Sequence, residues 1–180
     1  MCLTGPVTTA VPLGYPIHEH TLENGLRVVV SPDHAVPFVA VNLWYDVGSR
    51  DEQPGRTGLA HLFEHVMFQG SENVASGEHF NTLQASGATG NATTWFDRTN
   101  YFEAVPTGVL DLALWLEADR MANLLPALTQ ETLDTQREVV KEEKRQRYDN
   151  VPYGDQLELL LALNFGSDHP YGHSAIGSMA

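Results

Sequence analysis

Gly58-Leu59-Ala60-His61-Leu62-Phe63-Glu64-His65-Val66-Met67-Phe68-Gln69-Gly70 is the stretch from which the rest of this 180-residue chain can be read. On a helix turning about 100° per residue, His61 and His65 lie four apart and share a face. Glu64, three residues after His61, projects beside them. Two imidazoles so placed can bind one metal ion, and the carboxylate stands close enough to take a proton from a water that the metal activates. Leu62, Phe63, Val66, Met67 and Phe68 are apolar, so the helix is expected to be buried. Buried imidazoles and a buried carboxylate need partners, and a metal supplies one.

Outward from this helix, strand and helix signals mix without regular alternation. Residues 1–16 are rich in Thr, Pro and Gly and read as a loose arm, with one domain over 17–180. Ile17–Leu22 and Leu26–Ser31 flank Glu23-Asn24-Gly25, a hairpin signal because Asn and Gly tolerate positive φ. Val39, Val41, Leu43 and Tyr45 alternate in a third strand over 36–47. A helix ending at Gly70 carries the histidines, and a second spans 76–85. Strands follow at 91–96 and 99–105, rich in Thr and aromatics, around the turn Asp97-Arg98. Helices are expected over 108–125, 130–149 and 155–164. This pattern predicts an α+β fold, a mixed and largely antiparallel sheet packed against several helices.

Two histidines do not complete a zinc site, which needs a third donor. The helix over 130–149 offers Glu142 and Glu143, and phase separates them. With Leu133 at 0°, Val139 falls near 240°, Val140 near 340° and Glu143 at about 280°, between the two valines. Glu142 lands at about 180°, with Glu131 and Glu138 on the polar side. A carboxylate on the apolar stripe needs a cation, whereas Glu142 needs only water. The third ligand is therefore Glu143 on this reading. The remaining histidines make no such case. His18 and His20 share a hairpin strand, His169 and His173 sit in a Gly/Pro-containing tail, and His34 and His79 stand isolated; all read as structural or solvent-facing.

Composition narrows the partners. Ten basic against 23 acidic residues give a formal charge of −13, which argues against nucleic acid or an anionic membrane surface. The single cysteine, Cys2, excludes an internal disulfide and a cysteine metal cluster. No run approaches the roughly 18 apolar residues of a membrane span, and the N-terminus lacks the pattern of a signal peptide. The default expectation is cytoplasmic.

Several segments together resemble the N-terminal domain of the insulinase/pitrilysin zinc peptidases. They are Leu22-Glu23-Asn24-Gly25-Leu26-Arg27-Val28, the His61-x-x-Glu64-His65 helix, Asn91-Ala92-Thr93-Thr94 with Asp97-Arg98-Thr99-Asn100-Tyr101, Arg137 through Glu143, and His169-Pro170-Tyr171-Gly172. The resemblance implies zinc held by His61, His65 and Glu143, the last six residues after Arg137, with Glu64 as general base. Motif and helical phase reach Glu143 from separate starting points. The resemblance also implies that Asn91-Ala92 lies on a strand that pairs with an extended peptide substrate.

Two departures stand out. Many such peptidases carry a glutamate seven residues before the ligand, where this chain has Gln136; an amide there can hydrogen-bond but adds no negative charge. They also pair this domain with a second of similar fold that helps hold substrate. The stop after Gly177-Ser178-Met179 falls inside what reads as a continuing segment, so a fragment or half of a split enzyme is expected. Two functions follow: a zinc metalloendopeptidase, or its metal-bearing half, acting on short or unfolded peptides; and a zinc-stabilised, non-cleaving assembly module that needs a partner.

Overall fold

Asn24 and Gly25 make the turn that opens the chain's first hairpin. Gly25 adopts φ +89°, and the Asn24 Oδ1 accepts the Leu26 N–H at 3.0 Å. The strands on either side, β1 (His18–Thr21) and β2 (Arg27–Val30), pair antiparallel with His18 opposite Val30. This computed structural model describes residues 14–178, so the arm expected over 1–16 lies almost wholly outside the described residues. The chain forms two compact units divided between Pro37 and Phe38, the hairpin belonging to the first.

The second unit is built on a three-stranded antiparallel sheet of order β3-β5-β4. β3 (Phe38–Tyr45) keeps the predicted alternation, with Val39, Val41, Leu43 and Tyr45 turned inward and Phe38 and Trp44 exposed. β5 (Thr99–Pro106) is central and buried at every second residue; it pairs Phe102 with Asn42 on one side and with Asn91 on the other. β4 (Thr89–Thr94) starts two residues earlier than the sequence suggested. Gly90 permits this, because a side chain there would press on Glu103 and the Phe102 carbonyl. Trp95 and Phe96 leave the strand, and their carbonyls accept the Ser49 and Arg50 N–H groups of a short 3₁₀ turn, each at 3.0 Å.

Five helices complete the unit among the described residues: α1 (Leu59–Val66), α2 (Glu78–Ala85), α3 (Leu110–Ala127), α4 (Gln130–Lys144) and α5 (Gln156–Phe165). α1 ends at Val66 rather than running to Gly70. The chain leaves it through i→i+3 hydrogen bonds, Phe68 N to His65 O and Gln69 N to Val66 O. α4 stops at Lys144 and continues as a wider π turn over Arg145–Asp149. The core gathers Val74, Leu83, Ala88, Val105, Ala113 and Leu116, so α2, α3 and β5 meet there. Among the described residues no helix is long and apolar enough to cross a membrane.

Candidate metal centre

α1 lies against α4 and against β4, and this packing brings the predicted donors together. His61 Nε2 is 3.3 Å from His65 Nε2 and 3.6 Å from Glu143 Oε2, and His65 Nε2 is 3.2 Å from the same oxygen. A tetrahedral set at the usual zinc–nitrogen and zinc–oxygen lengths has donor–donor edges of about 3.3–3.4 Å. The three separations bracket that value, and the chemistry of the donors, two imidazoles and one carboxylate, suits zinc.

Each donor is held differently. Val140 on α4 is buried, which turns Glu143, three residues on, toward α1; Glu142 faces solvent with Arg145 and Gln146. Val139, read as part of the apolar stripe, is exposed, so the stripe is narrower than the sequence suggested. The second Glu143 oxygen, Oε1, is 2.7 Å from the Arg147 guanidinium. The hydrogen bond with His65 holds the Glu143 carboxyl below its usual range, against burial. Burial pushes His61 down to about 4, so its ring is neutral at pH 7 and free to offer a lone pair. A lone pair on Nε2 leaves the proton on Nδ1, which is buried without a hydrogen-bond partner among the described residues.

Glu64 stands beside the cluster. Its Oε2 accepts from the Thr94 hydroxyl, at the end of β4, at 2.5 Å. Burial raises the Glu64 carboxyl above its usual range, while this hydrogen bond pulls it down. β4 carries Asn91 and Ala92, and the Ala92 N–H donates to Asn91 Oδ1 at 2.9 Å. The far edge of β4 bears no strand among the described residues. Gln136 is buried on α4, two turns before Glu143.

α1 is less enclosed than expected. Only Val66 is fully buried, and Leu59, Phe63 and Met67 line an apolar cleft of about 530 Å³ with Tyr45 and Tyr101. The helix packs through one side, and the apolar residues of the other face this cleft.

Sequence reading missed a second buried cluster. His79, taken as isolated, is separated from its partners only along the chain: its Nε2 is 3.1 Å from Glu103 Oε1 and 3.8 Å from Glu117 Oε1. Arg120 donates to Glu117 through Nε at 2.9 Å and Nη2 at 2.5 Å, and stacks 4.1 Å from the Tyr101 ring centre. Both Glu117 oxygens are thus engaged by a guanidinium, which supplies this cluster with its cation. Burial pushes the Glu117 carboxyl up to about 7, against the pull of Arg120. Thr94 and His79 acquire their partners only through tertiary contact and had no sequence signal, whereas Arg147 and Arg120 lie four and three residues from Glu143 and Glu117, a helical spacing that could have pointed to both pairs.

A family model described as insulinase (peptidase family M16) matches residues 27–176. The zinc protease PqqE of Helicobacter pylori is 38% identical over 170 residues, 91% of this chain and 37% of that protein. An uncharacterized zinc protease of Mycobacterium leprae is 36% identical over 159 residues, 88% of this chain and 35% of its own. The chain therefore spans little more than a third of the length of these curated relatives. A crystal structure of a protease from Helicobacter pylori superposes with TM-score 0.86 at 36% identity, over 92% of this chain and 39% of that one. The fold of pitrilysin does so with TM-score 0.78 at 24% identity, over 92% of this chain and 17% of that one.

Proposed function

Because the chain belongs to the insulinase family of peptidases, we propose that it is the metal-bearing half of a zinc metalloendopeptidase acting on short or unfolded peptides. The observation that carries this is the convergence of His61 Nε2, His65 Nε2 and Glu143 Oε2 to within 3.2–3.6 Å. These three residues would hold zinc. When bound, zinc polarises a carbonyl and makes water a nucleophile at neutral pH.

The chain's own residues would do the rest. Glu64, steadied by Thr94, takes a proton from the attacking water and delivers it to the leaving amine. The free edge of β4 at Asn91-Ala92 offers backbone pairing to an extended peptide, beside Glu64 because Thr94 closes the same strand. An edge that binds through backbone groups tolerates varied side chains, which suits unfolded peptides.

Glu64→Gln tests the assignment. It should keep zinc, measured by metal analysis of the purified protein, and lose cleavage of a quenched peptide by about 10²–10⁴-fold. Cleavage at the wild-type rate would refute the role of Glu64, and absence of zinc from the wild type at neutral pH would refute the centre. A second reading is favoured by the fraction of the relatives that the chain spans: a zinc-stabilised module that cleaves nothing until a second domain or partner subunit joins it. Zinc binding with hydrolysis only after mixing with the remaining part of the protein would support it.

A further inference from the structure

The segment Tyr171–Ser178 touches both helices that carry the proposed zinc ligands. At α1, His173 Nε2 lies 3.0 Å from the Ser49 carbonyl and 3.1 Å from Glu52 Oε2. Glu52 in turn accepts the N–H groups of Gly58 at 2.9 Å and Ala60 at 2.8 Å. The N-terminal N–H groups of a helix have no partner within it, and Gly58, at the cap position, has no side chain to supply one. The Glu52 carboxylate therefore caps α1 from outside, where the helix dipole also favours negative charge. Its side chain is 4% exposed, so a lost donor there would not be replaced freely by water.

Backbone reinforces this contact. A side chain on Gly177 would come within 2.2 Å of Gly58 N, and one on Gly58 within 2.7 Å of the Ile176 carbonyl, so the two backbones lie flush. Ser178 N donates to Thr57 Oγ1 at 3.0 Å. At α4, Lys144, the residue after Glu143, donates to the Gly177 carbonyl at 2.8 Å and to Glu158 at 2.9 Å. Ser174 donates to the same Glu158 oxygen at 2.9 Å.

We propose that Tyr171–Ser178 is a strap that fixes α1 against α4, with Glu52 and His173 as positioning residues for the metal centre. The proposal rests on the reading of His61, His65 and Glu143 as that centre. Two ligands ride on α1 and the third on α4, so the donor separations depend on how the two helices sit. A displacement of about 0.5 Å is enough to spoil such a constellation. The strap grips α1 one turn before His61 and α4 one residue beyond Glu143, close to the ligands on both sides.

The test compares His173→Leu, His173→Gln and Lys144→Met with wild type in the 180-residue chain. Gln supplies N–H donors for the Ser49 carbonyl and Glu52, whereas Leu supplies none. Competition with a chromophoric chelator should show zinc held about tenfold more weakly by His173→Leu, with near-wild-type affinity in His173→Gln. The visible spectrum of the Co²⁺-loaded protein should change in His173→Leu and be restored in His173→Gln. Combining His173→Leu with Lys144→Met should cost less than the sum of the single losses, since both act through one strap. Wild-type affinity and spectrum in His173→Leu and in Lys144→Met would overturn the proposal, as would equal loss in His173→Leu and His173→Gln. If His173→Leu does not fold, Lys144→Met alone decides by the same affinity and spectrum. Should the wild type bind no zinc, the metal reading falls by itself. Amide exchange at Gly58 and Ala60 in metal-free protein then decides: faster exchange in His173→Leu supports the strap, and unchanged exchange overturns it.

Discussion

Glu142 and Glu143 are chemically identical neighbours, and replacing each in turn by glutamine separates ligation from mere charge. Both substitutions remove one negative charge from the same turn of α4, so any general electrostatic effect on a cation is common to the two. Their contacts differ. Glu143, 16% exposed, points Oε2 at His61 and His65; Glu142, 54% exposed, meets Arg145 and Gln146. Apparent zinc binding energies of about 10–16 kcal/mol shared over four ligands give roughly 3 kcal/mol for each. Glu143→Gln should therefore weaken zinc binding by about a hundredfold, since every 1.4 kcal/mol is about tenfold. Glu142→Gln loses only an exposed pair, which adds little, and should hold zinc within about twofold of wild type. Competition against a chelator of known affinity at pH 7.5 measures both. Equal losses would show that charge rather than ligation acts at this turn, and unchanged binding by Glu143→Gln would remove it from the ligand set.

Two further outcomes test the surroundings of the site. Glu117, raised from its ordinary 4.5 to about 7, keeps its proton in the folded state over a range where the unfolded chain has released it. Stability should therefore fall as pH rises through that window, by up to about 3 kcal/mol. Urea unfolding of Glu117→Gln across pH 4.5–7.5 should lack this slope, and an identical slope in wild type and variant would refute it. Gly48→Ala would place a methyl 2.3 Å from the Phe96 carbonyl, where the 3₁₀ turn docks on the β4–β5 turn. It should cost about 1–3 kcal/mol in the same assay, and an unchanged midpoint would show that the turn gives way freely.

The features legible in the sequence are those fixed by local periodicity. The Asn24-Gly25 hairpin, the alternation along β3 and the turning of Glu143 rather than Glu142 toward the histidines each follow from local position, a property of a few neighbouring residues. Ends of elements were less legible, because tertiary contacts set them: β4 gives Trp95 and Phe96 to the 3₁₀ turn, and α1 unwinds after Val66. Least visible were partners far apart in the chain. Nothing near His79 announces Glu103 or Glu117, and nothing near His173 announces Glu52, 121 residues earlier. The resemblance of several ordered motifs reached the family, but not the contacts that hold α1 and α4 in place.

Arg147 leaves the π turn after α4 and reaches back to Glu143 Oε1, and with three-quarters of its side chain in water the pair adds little to stability. Its consequence is one of orientation. With Oε1 turned toward the guanidinium, Glu143 presents Oε2 to His61 and His65, so each of the three residues would offer one donor atom to a metal. A centre held by three protein donors would leave a place for a ligand that is not protein, which the proposed hydrolysis needs.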